Sequence, residues 1–504
     1  MIWTGSDDGK VFYTTDGGKN WNDVSKNLKG LPEGSWIAQI KASANNKGEA
    51  LLVANNYRRF DYKPYVFRTK DYGKTWQSLV DEDDVESYSL SIIEDKKEPN
   101  LMFLGTDDGL YVSIDAGKNW QKWTNGFPTV PVKDLVIHPR EDDLVIGTFG
   151  RSIWVLDDIR PLRELAANKT TLSSISADNT TVLEVFPPAT AYQNASQQPT
   201  GSRFGADATY SGENRSGGAA FNYFIKPQKK DKAEKSETEK ADSDSEKAEA
   251  AVTWDTVFLK IYDGERLIRT LKTKTPDTTG LFTMRWYMDE KGSDRPSRSL
   301  RERNYEPGGV TVKPGTYKAV MSYGDIEDET MIKVESDPRL DISQAAINEI
   351  YTAQKNLESM MQLSADAVKQ LAESKKTAEE FQKRLKDADK ESYKAQIDSS
   401  TAIIKKLDAK IALFLGTEDD RQGITRNPEV TVLNRVYLAN GYVSSRPGGL
   451  TGTERTLIAQ AKDELSEALD EVNTFYAEEW PAYKTEMQQV ELDPFKETQV
   501  FKFD

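Results

Sequence analysis

One phrase occurs three times in the first 120 residues and limits what the chain can fold into more than any other feature. Residues 14–21 read TTDGGKNW, residues 69–76 TKDYGKTW and residues 113–120 SIDAGKNW, with the shared pattern Ser/Thr-x-Asp-x-Gly-Lys-x-Trp. The aspartates Asp16, Asp71 and Asp115 recur at intervals of 55 and 44 residues. Repeats of this length are those of propeller blades, each a small antiparallel sheet that buries its faces only against its neighbours. The octapeptide itself reads as a hairpin turn. The Asp and Ser/Thr side chains can accept backbone N–H groups a few residues on, and Gly18, Gly73 and Gly117 can take positive φ. Trp21, Trp76 and Trp120 can pack between adjacent sheets. Each repeated carboxylate is therefore expected to serve its own turn rather than catalysis.

The octapeptide resembles the Asp-box, or BNR repeat, of sialidases, sortilin-type receptors and related propellers. Residues 144–165, LVIGTFGRSIWVLDDIRPLREL, are similar to the closing strand and exit segment of long bacterial sortilin/VPS10-like proteins labelled as glycosyl hydrolases. The resemblance implies that residues 1–165 are the last blades of an Asp-box β-propeller. Three boxes and a terminal strand amount to three or four blades, fewer than such rings contain. The expectation is a C-terminal fragment or truncated gene model, with missing blades in cis or supplied by a partner chain.

Beyond Leu165 the periodicity is lost, and residues 166–218 read as an irregular linker rich in Ser, Thr, Asn and Gly. Alternating apolar runs return over residues 219–338, interrupted at 229–251 by a charged insert without large apolar residues, which reads as a disordered loop. Short strands with Gly/Pro punctuation predict a β-sandwich. The phrases IYDGERLIRTL, MRWYMD and KPGTYKAVM resemble an Ig-like domain of the FlgD type. Tyr262, Trp286, Tyr287 and Tyr317 form either a carbohydrate platform or core, and strand alternation turns about half of them inward. From residue 339 to 504 the period changes to 3.6, with apolar stripes at Leu357, Met361, Val368 and Leu371, at Leu407 and Ile411, and at Ala461, Leu465 and Val472. The expected fold class is thus multidomain, mostly β and then α: partial propeller, Ig-like sandwich and a C-terminal antiparallel helical bundle.

Composition decides which chemistry remains. The chain has one His, His138, and no Cys, which removes zinc centres, thiol nucleophiles and Ser-His-Asp relays. No phosphate-binding glycine loop or Ca²⁺ loop occurs, so no cofactor and no metal are expected. A net charge of -15 argues against nucleic acid as a partner, and no run is apolar enough for a transmembrane segment. No signal peptide is recognised, and the full-length protein is expected in the periplasm, at the cell surface or secreted. Glycoside hydrolysis is the reaction class that carboxylates alone allow. The neighbouring pairs Asp7-Asp8, Asp107-Asp108 and Asp157-Asp158 are poor couples, because adjacent side chains on a strand diverge.

The candidate ligand-binding residues are Asn56, Tyr57, Arg58, Arg59 and Asp61, a polar and aromatic loop ahead of the second box, together with Arg151 after Gly150. The alternative for this loop is a salt-bridged surface hairpin. The function expected is a non-catalytic extracytoplasmic binding or scaffold role, with a peptide or glycan as ligand. A glycoside hydrolase with carboxylates in further blades is the alternative, and a purely structural role stands third.

Overall fold

The computed structural model describes residues 1–168, 181–194, 216–228, 254–301, 303–418 and 429–491. The charged insert at 229–251 lies outside them. The chain is multidomain, with many β-sheets followed by helices.

The first four sheets are antiparallel meanders that follow one another as propeller blades. Sheet one holds β1 (Ile2–Gly5), β2 (Val11–Thr14) and β3 (Asn22–Asp23). Sheet two holds β4 (Trp36–Ala42), β5 (Ala50–Asn56), β6 (Asp61–Thr69) and β7 (Gln77–Ser78). Sheet three holds β8 (Ser89–Glu94), β9 (Met102–Thr106), β10 (Gly109–Ser113) and β11 (Gln121–Trp123), and sheet four β12 (Val132–Ile137), β13 (Leu144–Thr148) and β14 (Ile153–Leu156). Each box joins the last two strands of its sheet, so β1, β2 and β3 correspond to the second, third and fourth strands of sheets two and three.

The first strands of sheets two, three and four converge on one axis. Gln39 of β4 accepts the Ile92 N–H of β8 at 2.8 Å, and Ser91 of β8 donates to the Val132 carbonyl of β12 at 3.2 Å. Lys41 of β4 even reaches the Leu135 carbonyl of β12, at 3.2 Å. Faces buried between the sheets carry the apolar load: Val11, Ile37 and Leu52 between the first pair, and Leu51, Met102 and Leu104 between the second.

A helix, α1 (Arg160–Ala167), turns the chain out of the propeller with Pro161 in its first turn. Its Ile159, Leu162 and Leu165 side pack with Leu144 and Ile146 of sheet four and with Phe186 and Phe224 of the next domain. That domain is a two-sheet sandwich. Its strands are β15 (Leu183–Val185), β16 (Ala191–Gln193), β17 (Ala219–Ile225), β18 (Thr256–Asp263), β19 (Arg266–Lys274), β20 (Gly280–Trp286), β23 (Gly315–Tyr323) and β24 (Ile326–Ser336), and a small hairpin, β21 (Asp289–Lys291) with β22 (Gly308–Thr311), projects from it. One sheet has the order β15-β17-β20 and the other β16-β24-β23-β18-β19. Two strands, β15 and β16, thus come from the stretch expected to be irregular. Each has three residues, too few to show an alternating pattern. Trp286 and Tyr317 are in the core, Tyr287 is 65 % exposed, and Lys318 lies over the Tyr262 ring, so the four aromatics form no shared platform.

The C-terminal helices are α2 (Gln344–Asp389), α3 (Lys394–Leu415), α4 (Val432–Val443), α5 (Gly452–Thr474) and α6 (Trp480–Gln488). Ser343 caps α2 by accepting the Ala346 N–H, and Thr451 with Glu454 closes a capping box on α5. The predicted stripes meet in one core of Leu357, Val368, Leu407, Ile411, Ala461 and Leu465. Between α5 and α6 the backbone widens into a π-turn, Phe475–Glu479, just ahead of Pro481, whose ring nitrogen has no N–H to give to the helix. Among the described residues no helix is long and apolar enough to cross a membrane.

Candidate functional site

The strand directions place two kinds of loop at opposite ends of the blades. Boxes lie at the C-terminal end of the third strand, whereas the loop between β5 and β6 lies at the other end, where Trp36 pairs with Asn55 and Asn56 with Asp61.

At the box end the repeated carboxylates are fully engaged by their own turns. Asp115 accepts the Ser113 hydroxyl at 2.8 Å and the N–H groups of Lys118 and Asn119 at 3.1 and 3.0 Å. Asp16 does the same with Thr14, Lys19 and Asn20, and Asp71 with Thr69 and Thr75. These donors hold all three carboxyls below their ordinary pKa. The backbone bonds of Asn20 and Thr75 lead at Asp16 and Asp71. At Asp115 burial pushes upward and the bonds from Asn119 and Ser113 outweigh it. Gly18, Gly73 and Gly117 have φ of +97°, +76° and +84°. At Gly73 an added Cβ would also stand 3.0 Å from Val24. Trp120 is buried between sheets two and three and donates to the Leu79 carbonyl at 2.8 Å, and Trp76 meets Trp3 of sheet one at 6.1 Å. Trp21 differs: it is 44 % exposed. The single imidazole also serves a turn, with His138 Nδ1 accepting the Glu141 N–H at 3.0 Å.

At the opposite end an aromatic surface forms across sheets two and three. After β5 the chain makes a 3-10 turn, Tyr57–Arg59, and Phe60 follows in the left-handed region at φ 63°, with its side chain 86 % exposed. The turn lays Arg58 over the Trp36 ring, 4.6 Å from its centroid, and stacks Tyr57 on Tyr88 at 5.0 Å and 21°. Tyr62 joins Tyr88 at 6.1 Å. Two carboxylates fix the frame: Tyr88 donates to Asp107 at 2.7 Å, and Tyr65 and Asn56 donate to Asp61 at 2.9 and 3.2 Å. Burial and then Asp61 push the Tyr65 hydroxyl up to about 12, and burial with Asp107 raises Tyr88 as well. Burial also pushes Asp61 upward, but its two donors outweigh burial and its pKa lies below the ordinary value. That is the wrong direction for a general acid, which needs a raised carboxyl. The arrangement offers flat rings, one fixed guanidinium and acceptors already in use, which suits stacking and anion or carbonyl recognition.

Of the sequence candidates, Asn56, Tyr57, Arg58 and Asp61 come together here. Arg59 turns aside and donates to the Glu33 carbonyl, holding the loop against the segment before β4. Arg151 lies in the β13–β14 turn of sheet four, and no hydrogen bond or ion pair joins its side chain to the cluster among the described residues. Trp36 and Tyr88 were missed in the sequence. Their one shared signal is position, at or just before the first strand of a sheet. Among the described residues, no group of three or more His, Cys, Asp or Glu is placed to hold a metal.

Comparison with known proteins agrees with a propeller. The Sortilin-Vps10 family model, described as sortilin, neurotensin receptor 3, matches residues 64–181, from sheet two through α1 and beyond. None of the curated proteins matches the chain. Among solved structures, a GH74 xyloglucanase from Xanthomonas campestris is 17 % identical over 31 % of this chain and 27 % of its own, with a TM-score of 0.25. The GH74 enzyme of Niastella koreensis is 15 % identical over 44 % of this chain and 33 % of its own, with a TM-score of 0.26. The computationally designed Ika4 protein is 14 % identical over 31 % of this chain and 83 % of its own, with a TM-score of 0.23. The match spans a third or less of either natural enzyme. Over residues 64–181, the chain is similar to the sortilin family in its β-propeller.

Proposed function

We propose that the protein is a non-catalytic binding or scaffold protein that recognises a peptide or glycan on the Trp36–Tyr57–Tyr88 surface and works outside the cytoplasm. The observation that carries this reading is the stacking of Tyr57 on Tyr88 with Arg58 held over Trp36, an ordered aromatic surface built by two adjacent blades. The sortilin-like match over residues 64–181 takes in Tyr88 and Asp107 but not Trp36, Tyr57 or Arg58, and supports the propeller setting of the surface. Asp61, with its lowered pKa and its bonds to Tyr65 and Asn56, is unsuited to the general-acid role that hydrolysis at this place would need. In this reading the Asp-boxes are structural, further blades come in cis or from a partner chain, and the sandwich and helices act as spacer and docking parts. The test is to screen the full chain on peptide and glycan arrays and to offer it chromogenic glycosides. Retained binding that Arg58→Ala weakens about tenfold, with no turnover, is the expected result. Turnover that Asp107→Asn abolishes would replace the reading with hydrolysis.

A further inference from the structure

A second concave surface lies far along the chain from the propeller. A cleft of about 1210 Å³ runs between the β21–β22 hairpin, the first half of α2 and the end of α4. It exceeds the roughly 300–1,000 Å³ of ordinary small-molecule pockets, room enough for a segment of several residues or sugar units. Gly309 lets the hairpin come this close to α2, since a Cβ there would stand 2.5 Å from the Glu358 carboxylate.

Its lining combines two chemistries. The floor is aliphatic, with Ile350, Leu357 and Met361 from α2 and Val436 from α4. The rim is cationic: five Arg and Lys side chains line the cleft against Asp337 and Glu358 alone, in a chain whose net charge is -15. Three of the cations have acidic partners, Arg303 with Asp294, Arg339 with Asp337 and Arg446 with Glu454. Among the described residues the other two have no carboxylate within salt-bridge distance and lie over rings, Arg295 at 5.8 Å from the Tyr437 centroid and Lys313 at 5.0 Å from that of Tyr351. Both line the cleft, and no ion pair among the described residues neutralises them there.

We infer that this cleft binds an acidic peptide segment carrying aliphatic side chains, with its carboxylates on Arg295 and Lys313 and its apolar groups on the α2–α4 floor. Charge complementarity selects an anion, and the aliphatic floor of Ile350, Leu357, Met361 and Val436 selects a peptide with aliphatic side chains over an acidic oligosaccharide, which has no such groups to bury there. The site is independent of the propeller surface and stands or falls separately from it.

The test uses the full chain and a fluorescein-labelled heptapeptide alternating Glu with Leu, followed by fluorescence anisotropy. The inference predicts saturable binding, at least about tenfold weaker for the same peptide with Gln in place of Glu and for the Arg295→Gln/Lys313→Gln double variant, and a loss of affinity with added salt. A thermal melt checks the fold of the double variant. Arg295→Gln alone, which removes only an exposed ring contact, provides the same reading if the double variant is unstable. Binding that is indifferent to peptide charge or to these variants overturns the inference. So does polygalacturonate binding in preference to the peptide, or self-association of the chain that the variants abolish, since the occupant is then a glycan or a second copy.

Discussion

Asp115 illustrates how a residue that recurs at blade spacing can be taken up by its own turn. Its carboxylate gathers two backbone N–H groups, the Ser113 hydroxyl and the Asn119 amide in one turn. Hydrogen bonds to a charged group are each worth about 1.5–3 kcal/mol, and removing the acceptor leaves several donors to find water. We predict that Asp115→Ala lowers stability by about 2 kcal/mol in urea unfolding, with binding on the opposite end unchanged. The pH dependence follows from the lowered pKa of Asp16, Asp71 and Asp115. A depressed folded pKa means stability that is complete above the unfolded value of 3.8 and lost as pH falls through the folded value. The acid limb of the stability profile below pH 3.8 should therefore be shallower in Asp115→Ala than in the parent chain. Such turns were legible in the sequence because all their donors and acceptors lie within eight residues of chain. Tyr88 and Trp36 were not, since their partners, Asp107, Tyr57 and Arg58, come from other strands and another sheet, and no local spacing encodes that meeting.

Among the elements, α1 holds the propeller to the sandwich. Arg163 donates to Asp95 at 3.0 and 2.6 Å and lies 2.9 Å from Asp142, with all three side chains nearly buried. Burial lowers the guanidinium pKa, and the two carboxylates outweigh it and raise it. Removing the guanidinium leaves buried Asp95 with the Lys97 and Glu98 N–H groups, while Asp142 keeps Lys97 at 2.9 Å, so Arg163→Met should cost about 3 kcal/mol, the low end for a broken buried pair, and unfold at lower temperature by calorimetry. Replacing Asp95 as well should cost less than the sum of the two single changes, which a double-mutant cycle measures. The sequence showed the helical stripes of the bundle and the hairpins of the blades, where the period repeats over many residues. It did not show α1 as a helix or the short strands β15 and β16, whose lengths of eight and three residues are below what a periodic pattern needs.

At the scale of the whole molecule, Glu290 governs how the sandwich meets the helices. It accepts Arg266 and the Tyr351 hydroxyl at 2.9 and 2.6 Å and lies 3.3 Å from Lys355. Burial pushes its pKa up, but these partners prevail and hold it at about 2 instead of 4.5. The contribution is present above pH 4.5 and lost as pH falls toward 2. Lowering the pH through that window, or Glu290→Gln at neutral pH, should loosen the joint. The expected readout is faster limited proteolysis between residues 336 and 344, the segment between β24 and α2, before the propeller unfolds. The joint could not be read from the sequence, because Glu290 and Tyr351 belong to different domains and only their packing makes them partners.

Whether two neighbouring blades build a binding surface around Tyr57 is decided by comparing three chains on the same peptide and glycan arrays: the parent, Tyr57→Ala and Tyr287→Ala. Tyr287 is an exposed tyrosine of the sandwich, 65 % accessible, and controls for the loss of any surface ring. A binding surface at Tyr57 gives equal signals for the parent and Tyr287→Ala and about a tenfold loss for Tyr57→Ala. Equal binding by all three chains would contradict it.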